Sequence, residues 1–109
     1  MRIIVIGAGK VGYKLAEHLT SEEHDVTVID NDEDVIERCS GSLDVICLRG
    51  NGANAKILLE AGVDKAQIVI SSTASDETNM LSCLIAKRLG VSVKDLQDTL
   101  ISIAREAHA

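Results

Sequence analysis

Proline, phenylalanine and tryptophan are absent, and tyrosine occurs once, as Tyr13. The core must therefore be built from Val, Ile, Leu and Ala, a palette suited to parallel strands buried on both faces. Without proline, glycine supplies most of the punctuation. No apolar run approaches the roughly 20 residues that a membrane helix needs. The opening Met1–Ile6 stretch is short and runs straight into glycines, so it does not read as a signal peptide, and a cytoplasmic protein is expected. Basic residues are scarce: 11 Lys and Arg stand against 17 Asp and Glu, a net charge of -6. That balance repels phosphate backbones and argues against a nucleic-acid partner. Backbone amides at a helix N-terminus can still hold a pyrophosphate. The three cysteines, Cys39, Cys47 and Cys83, are odd in number and show no CxxC spacing. Neither a disulfide framework nor a metal site is expected, and free thiols in a reducing compartment are the default. At 109 residues and 46% apolar, the chain fits one domain, residues 1–109.

Apolar periodicity alternates between two patterns. Short β-branched runs at Arg2–Ile6, Val26–Ile29, Val45–Leu48 and Ile68–Ile70 predict strands. Between them, helical spacing predicts helices from Lys10 to Thr20, from a cap at Asp32 to Cys39 or Ser40, and from a cap at Asn54 to near Gly62. A fourth, capped by Ser75 or Asp76, runs from about Glu77 to Leu89. The order β-α-β-α-β-α-β-α implies an α/β, Rossmann-like, doubly wound parallel sheet with right-handed crossovers. Ligands then bind beyond the carboxyl ends of the strands. Residues 91–109 form an atypical tail. Val93, Leu96, Leu100, Ile103 and Ala107 fit a helix, while Thr99–Ala104 also fits a fifth strand.

The segment Gly7-Ala8-Gly9-Lys10-Val11-Gly12 reads GxGxxG between the first strand and the first helix. Gly7 permits the tight turn, Gly9 lets the backbone approach a pyrophosphate, and Gly12 lets the helix pack on the sheet. The amides around Lys10 and Val11 face the phosphates with a favourable dipole. Asp30 closes the second strand 21 positions after Gly9. A carboxylate there accepts the adenosine ribose hydroxyls and repels a 2′-phosphate, and no Arg stands beside it in Ile29–Asp32. NAD(H) is favoured over NADP(H). Asn31 follows as a further contact, while Asp32 reads first as a helix cap. In this topology the loops after strands three and four border the same crevice. They contain Asn51, Gly52 and Ala53, and Thr73 and Ala74. Asn51 offers a donor and an acceptor to a base or ribose. Asn79 stands where it could turn toward the cofactor.

A dehydrogenase would need a substrate domain and an acid or base near the nicotinamide. His18 and His24 flank the far end of the first helix, His108 lies in the final residues, and the three cysteines read as core thiols. No catalytic constellation is visible, so the expectation is a non-enzymatic, cofactor-sensing module, or else a fragment of a larger enzyme.

The first 90 residues carry an ordered set of motifs: GAGKVG, VID, the GN after the third strand, LEAG, and SDETNM with its helix. This set resembles the TrkA-N, KTN or RCK nucleotide-binding domain of Trk-type potassium-uptake regulators. The resemblance implies a regulatory subunit or domain that binds NAD(H), or ATP or ADP in some relatives. It implies a homo-oligomer, a dimer, tetramer or ring, on the inner face of the membrane beneath a potassium transporter or channel subunit. By the same resemblance Gly7 to Val11 hold the pyrophosphate, Asp30 the ribose, Asn51 and Gly52 the adenine side, and Thr73 and Ala74 the far end. Ile103-Ala104-Arg105 would be the fifth strand, with Arg105 near the cofactor. Two rival readings are the cofactor half of an NAD-dependent dehydrogenase and an ATP/ADP-sensing RCK domain.

Overall fold

The computed structural model describes residues 1–90. The fifth-strand assignment and Arg105 lie outside them. Four strands form one sheet: β1 (Arg2–Ile6), β2 (Asp25–Asp30), β3 (Ile46–Arg49) and β4 (Ile68–Ser71). Every pairing is parallel and the spatial order is β3-β2-β1-β4. The helices are α1 (Lys10–Ser21), α2 (Glu33–Ser42), α3 (Ala55–Glu60) and α4 (Asp76–Arg88). A 3-10 turn at Val63–Lys65 precedes β4, after Gly62.

The order follows from burial. β1 lies between two neighbours and is the most apolar strand, with Ile3, Ile4, Val5 and Ile6 all buried. β3 lies at an edge, and Ile46 is correspondingly exposed. Right-handed crossovers place α1 and α2 on one face and α3, which joins β3 to β4, on the other. The core is almost purely aliphatic, as expected without large aromatics; Val28, Ile29, Leu58, Ile68 and Val69 are fully buried. Ser82 is the one buried polar residue among those described, and its hydroxyl donates to the Thr78 carbonyl one turn back.

The sequence places each described element within a few residues. β3 begins one residue later than expected and ends at Arg49. α2 runs on through Gly41 to Ser42, because Gly41 keeps a negative φ and the chain turns extended only at Leu43. The caps are those expected. Asp32 accepts from the Asp34 amide, Asn54 from Lys56 and Ile57, and Ser75 from Thr78.

Register aligns the carboxyl ends. Ile6 pairs with Ile29 and with Ser71, and Asp30 pairs with Arg49. Gly7, Asp30, Gly50 and Ser72 therefore leave the sheet side by side along one edge. The strand order reverses between β1 and β4, so a crevice opens there.

Candidate functional site

That crevice has a volume of about 430 Å³ and is lined from all four strand ends, within the range of small-molecule sites. A larger open hollow of about 720 Å³ lies at the opposite, amino ends of the strands, bordered by Arg2, His24, Asp25 and Asp44. Position decides between them: in open α/β sheets ligands bind beyond the carboxyl ends at the switch point.

The glycine loop forms the floor. Gly7 has φ of +87°, a conformation that L side chains rarely adopt, and its amide donates to the Ile29 carbonyl at 2.8 Å. Gly12 is set by close approach. A Cβ there would lie 1.8 Å from the Gly7 carbonyl oxygen and 2.8 Å from Ser72 Oγ. Gly9 differs from both: a Cβ there would meet nothing within 4 Å, and the residue faces the crevice. No packing demand from the protein explains a glycine at this position.

The start of α1 is bare. Its cap residue, Gly9, supplies no side-chain acceptor, and no acidic residue stands in its first turn. α2, α3 and α4 all have side-chain caps, and α2 and α4 also carry acidic first turns. The first intrahelical bond is from Tyr13 N to the Gly9 carbonyl. The amides of Lys10, Val11 and Gly12 precede it and have no acceptor within the helix. Such an end favours an anion.

Asp30 closes β2 beside this loop. Its Oδ2 accepts from the Ala8 amide at 2.8 Å and its Oδ1 from the Asp32 amide at 2.9 Å. The carboxylate is thus fixed at the crevice wall, each oxygen keeping acceptor capacity. Arg38 braces the loop from behind. Its Nη2 donates to the Ala8 carbonyl at 3.2 Å, and its guanidinium lies 5.2 Å from the centre of the Tyr13 ring.

Gly7, Gly9, Asp30, Asn31, Asn51, Gly52, Thr73 and Ala74 all line the crevice. Ala8 is buried behind it, and Gly12 is buried within the first turn of α1. The Lys10 and Val11 side chains are exposed, and neither these residues nor Ala53 contribute to the lining. Asn51 Oδ1 accepts from the Ala53 amide, which shapes its own turn. Asn79 acts on the loop. Its Oδ1 accepts from Ser71 Oγ, the Thr73 amide and Thr73 Oγ1, and its Nδ2 donates to the Thr73 carbonyl. It clamps the segment that presents Thr73 and Ala74 and is not itself a wall residue.

Four wall residues were not anticipated: Ile6 and Ile29, read only as strand residues, and Val35 and Thr78 on the helices. Val35 and Thr78 each stand three positions after a helix cap, Asp32 or Ser75, so that spacing was the available signal for those two. Neither His18 nor His24 borders the crevice. Burial pushes the thiols of Cys39, Cys47 and Cys83 upward, away from nucleophilic character. Among the described residues, no group of three or more His, Cys, Asp or Glu could hold a metal, and no helix is long and apolar enough to cross a membrane.

The TrkA-N domain family matches residues 3–109. A Trk system potassium uptake protein TrkA homolog from Archaeoglobus fulgidus is 48% identical over 90 residues, covering 83% of this chain. The chain spans about a fifth (20%) of that relative's length. The fold is shared with the TrkA-N domain of the inner membrane protein ybaL from Escherichia coli. That structure aligns with a TM-score of 0.76 at 21% identity, over 87% of this chain and 67% of that one. The GsuK channel bound to NAD aligns with a TM-score of 0.71 at 22% identity, over 82% of this chain and 16% of the channel. By this match along nearly its whole length, the chain belongs to the TrkA-N domain family.

Proposed function

We propose that the domain is a sensor of NAD(H) that regulates a membrane potassium uptake system. The observation that carries this reading is the bare N-terminus of α1 at the switch-point crevice, with a fixed carboxylate on the neighbouring strand. The residues fit a dinucleotide. The amides at the start of α1 would hold the pyrophosphate, and the open space over Gly9 admits it. Asp30 would accept the ribose hydroxyls, Asn31, Asn51 and Gly52 would border the adenine, and Thr73 and Ala74 the nicotinamide end. The bound dinucleotide supplies differential affinity for two arrangements of the domain, which is what a switch requires.

Potassium uptake as the regulated process is supported by the relatives' names, and NAD as the ligand by the NAD-bound channel of the same fold. A regulatory rather than catalytic role, on the cytoplasmic side of the membrane beneath a transporter subunit, is part of the same proposal, and the relatives' names as potassium uptake proteins are compatible with it. Self-association is supported by α4, which exposes Met80, Leu81 and Leu84 on its surface. A second copy of the chain would cover apolar area of this kind.

Thermal-shift ranking of NAD+, NADH, ATP and ADP tests the ligand. A ligand at 100 times its Kd adds about 2.7 kcal/mol, which in a domain of this size raises Tm by roughly 10 °C or more. The reading expects the dinucleotides to rank first. ATP or ADP ranking first would favour an adenine-nucleotide sensor. No shift with any of the four would refute nucleotide sensing.

A further inference from the structure

Strand pairing delivers a cation that is not itself a wall residue to the sheet edge beside Asp30. Arg49, the last residue of β3, stands in register with Asp30, the last residue of β2. Its Nε donates to the Asn31 carbonyl at 3.4 Å, and its Nη1 lies 3.5 Å from the Glu33 carboxylate. Asn31 and Gly50, its immediate partner and neighbour, both line the crevice. The guanidinium is therefore fastened to the outside of the turn that carries Asp30. The Arg49 and Glu33 side chains are 61% and 65% exposed, so their ion pair is weak and the guanidinium can be re-aimed at little cost.

We propose that Arg49 is a specificity-determining residue of the dinucleotide site: it is the cation placed to hold a 2′-phosphate on the adenosine ribose. This inference rests on the dinucleotide reading above. The planar guanidinium fork matches phosphate oxygens in pairs. Glu33 pairs with this cation, and Asp30 stands beside it in register, so two carboxylates face one guanidinium. The local balance is negative, and the unphosphorylated ribose is preferred. Removing the Asp30 charge leaves the cation opposed by Glu33 alone, which lifts the repulsion of a 2′-phosphate at the position where the reading above puts the ribose. Arg38 is the other cation near Asp30, but it is committed to the Ala8 carbonyl on the inner side of the loop.

The test is calorimetric titration of NADH and NADPH into the full chain and into Arg49→Gln, Asp30→Ser and Asp30→Ser/Arg49→Gln, with folding checked by circular dichroism. The wild type binds NADH more tightly than NADPH. Arg49→Gln leaves NADH affinity within about twofold. Asp30→Ser brings NADPH level with or above NADH, and adding Arg49→Gln then removes about tenfold of the NADPH affinity, the scale of 1.4 kcal/mol. Equal NADPH binding by the single and double variants overturns the proposal, and would shift the role to Arg38. So does an Arg49→Gln variant that weakens NADH as much as NADPH. A wild-type chain that binds neither dinucleotide refutes the dinucleotide reading itself and this inference with it.

Discussion

Two alanine substitutions three positions apart in the glycine loop separate folding from binding. At Gly12 an added methyl group would lie 1.8 Å from the Gly7 carbonyl oxygen and 2.8 Å from both the Gly7 carbonyl carbon and Ser72 Oγ. Ser72 Oγ can rotate away, but the Gly7 backbone cannot, because its amide is fixed to the Ile29 carbonyl. Reaching ordinary contact at 3.4 Å requires α1 to retreat from the sheet by about 1.6 Å. Overpacking of this kind typically costs about 1–3 kcal/mol and occasionally more. Backbone atoms on the receiving side put Gly12→Ala at the upper end. At Gly9 the methyl group meets nothing, and stability is expected to stay within about 1 kcal/mol of wild type, since the altered unfolded-chain entropy is of that size. The same methyl group projects into the crevice, so nucleotide affinity falls by about tenfold or more. Urea denaturation of both variants, with calorimetric titration of NADH into Gly9→Ala, reads the two effects. A Gly12→Ala protein as stable as wild type would refute the packing argument. Unchanged affinity in Gly9→Ala would refute the placement of the pyrophosphate.

Asn79→Ala removes four hydrogen bonds to Ser71 and Thr73. It is expected to lower stability by about 1–3 kcal/mol in urea denaturation, with faster amide exchange at Thr73. Arg38→Gln forfeits the contact across the Tyr13 ring and weakens support of the Ala8 carbonyl. The expected loss is about 0.5–2 kcal/mol, with a fall in NADH affinity that Arg38→Lys restores only in part. Burial raises the Cys39 thiol pKa in the folded state. Above the ordinary thiol pKa the unfolded chain therefore loses protons that the folded chain keeps, and this group's contribution to stability falls as pH rises. Native-state alkylation of Cys39 at mildly alkaline pH should accordingly lag far behind alkylation in urea. Equal rates would contradict its burial. Leu84→Asp on the exposed face of α4 should shift any self-associated species toward monomer in sedimentation equilibrium.

What the sequence made legible, and what it did not, divides along a physical line. Glycine spacing, caps and β-branched runs act over a few residues, so Gly7, Gly9, Gly12, Asp32, Asn54 and Ser75 were readable in place. Asp30 was readable because its distance from the glycines reflects one helix and one strand of ordinary length. The cross-strand partners were not readable. Arg49 comes to Asp30 through the register of β2 and β3, 19 residues further along the chain. Arg38 reaches Ala8 from a second helix. Asn79 was read for its polarity as a residue that could turn toward the cofactor, and the structure spends that polarity on the Ser71–Thr73 backbone and hydroxyls. A side chain with four hydrogen-bonding positions can satisfy either task, and only the fold decides which.

Calorimetric titration of NADH into the wild-type chain and Asp30→Ala tests the central claim most directly. The account predicts saturable binding at one site per chain, weakened by about 1–3 kcal/mol when the carboxylate is removed, the scale for charged hydrogen bonds. Identical affinities in the two proteins, or no heat of binding in the wild type, would contradict it.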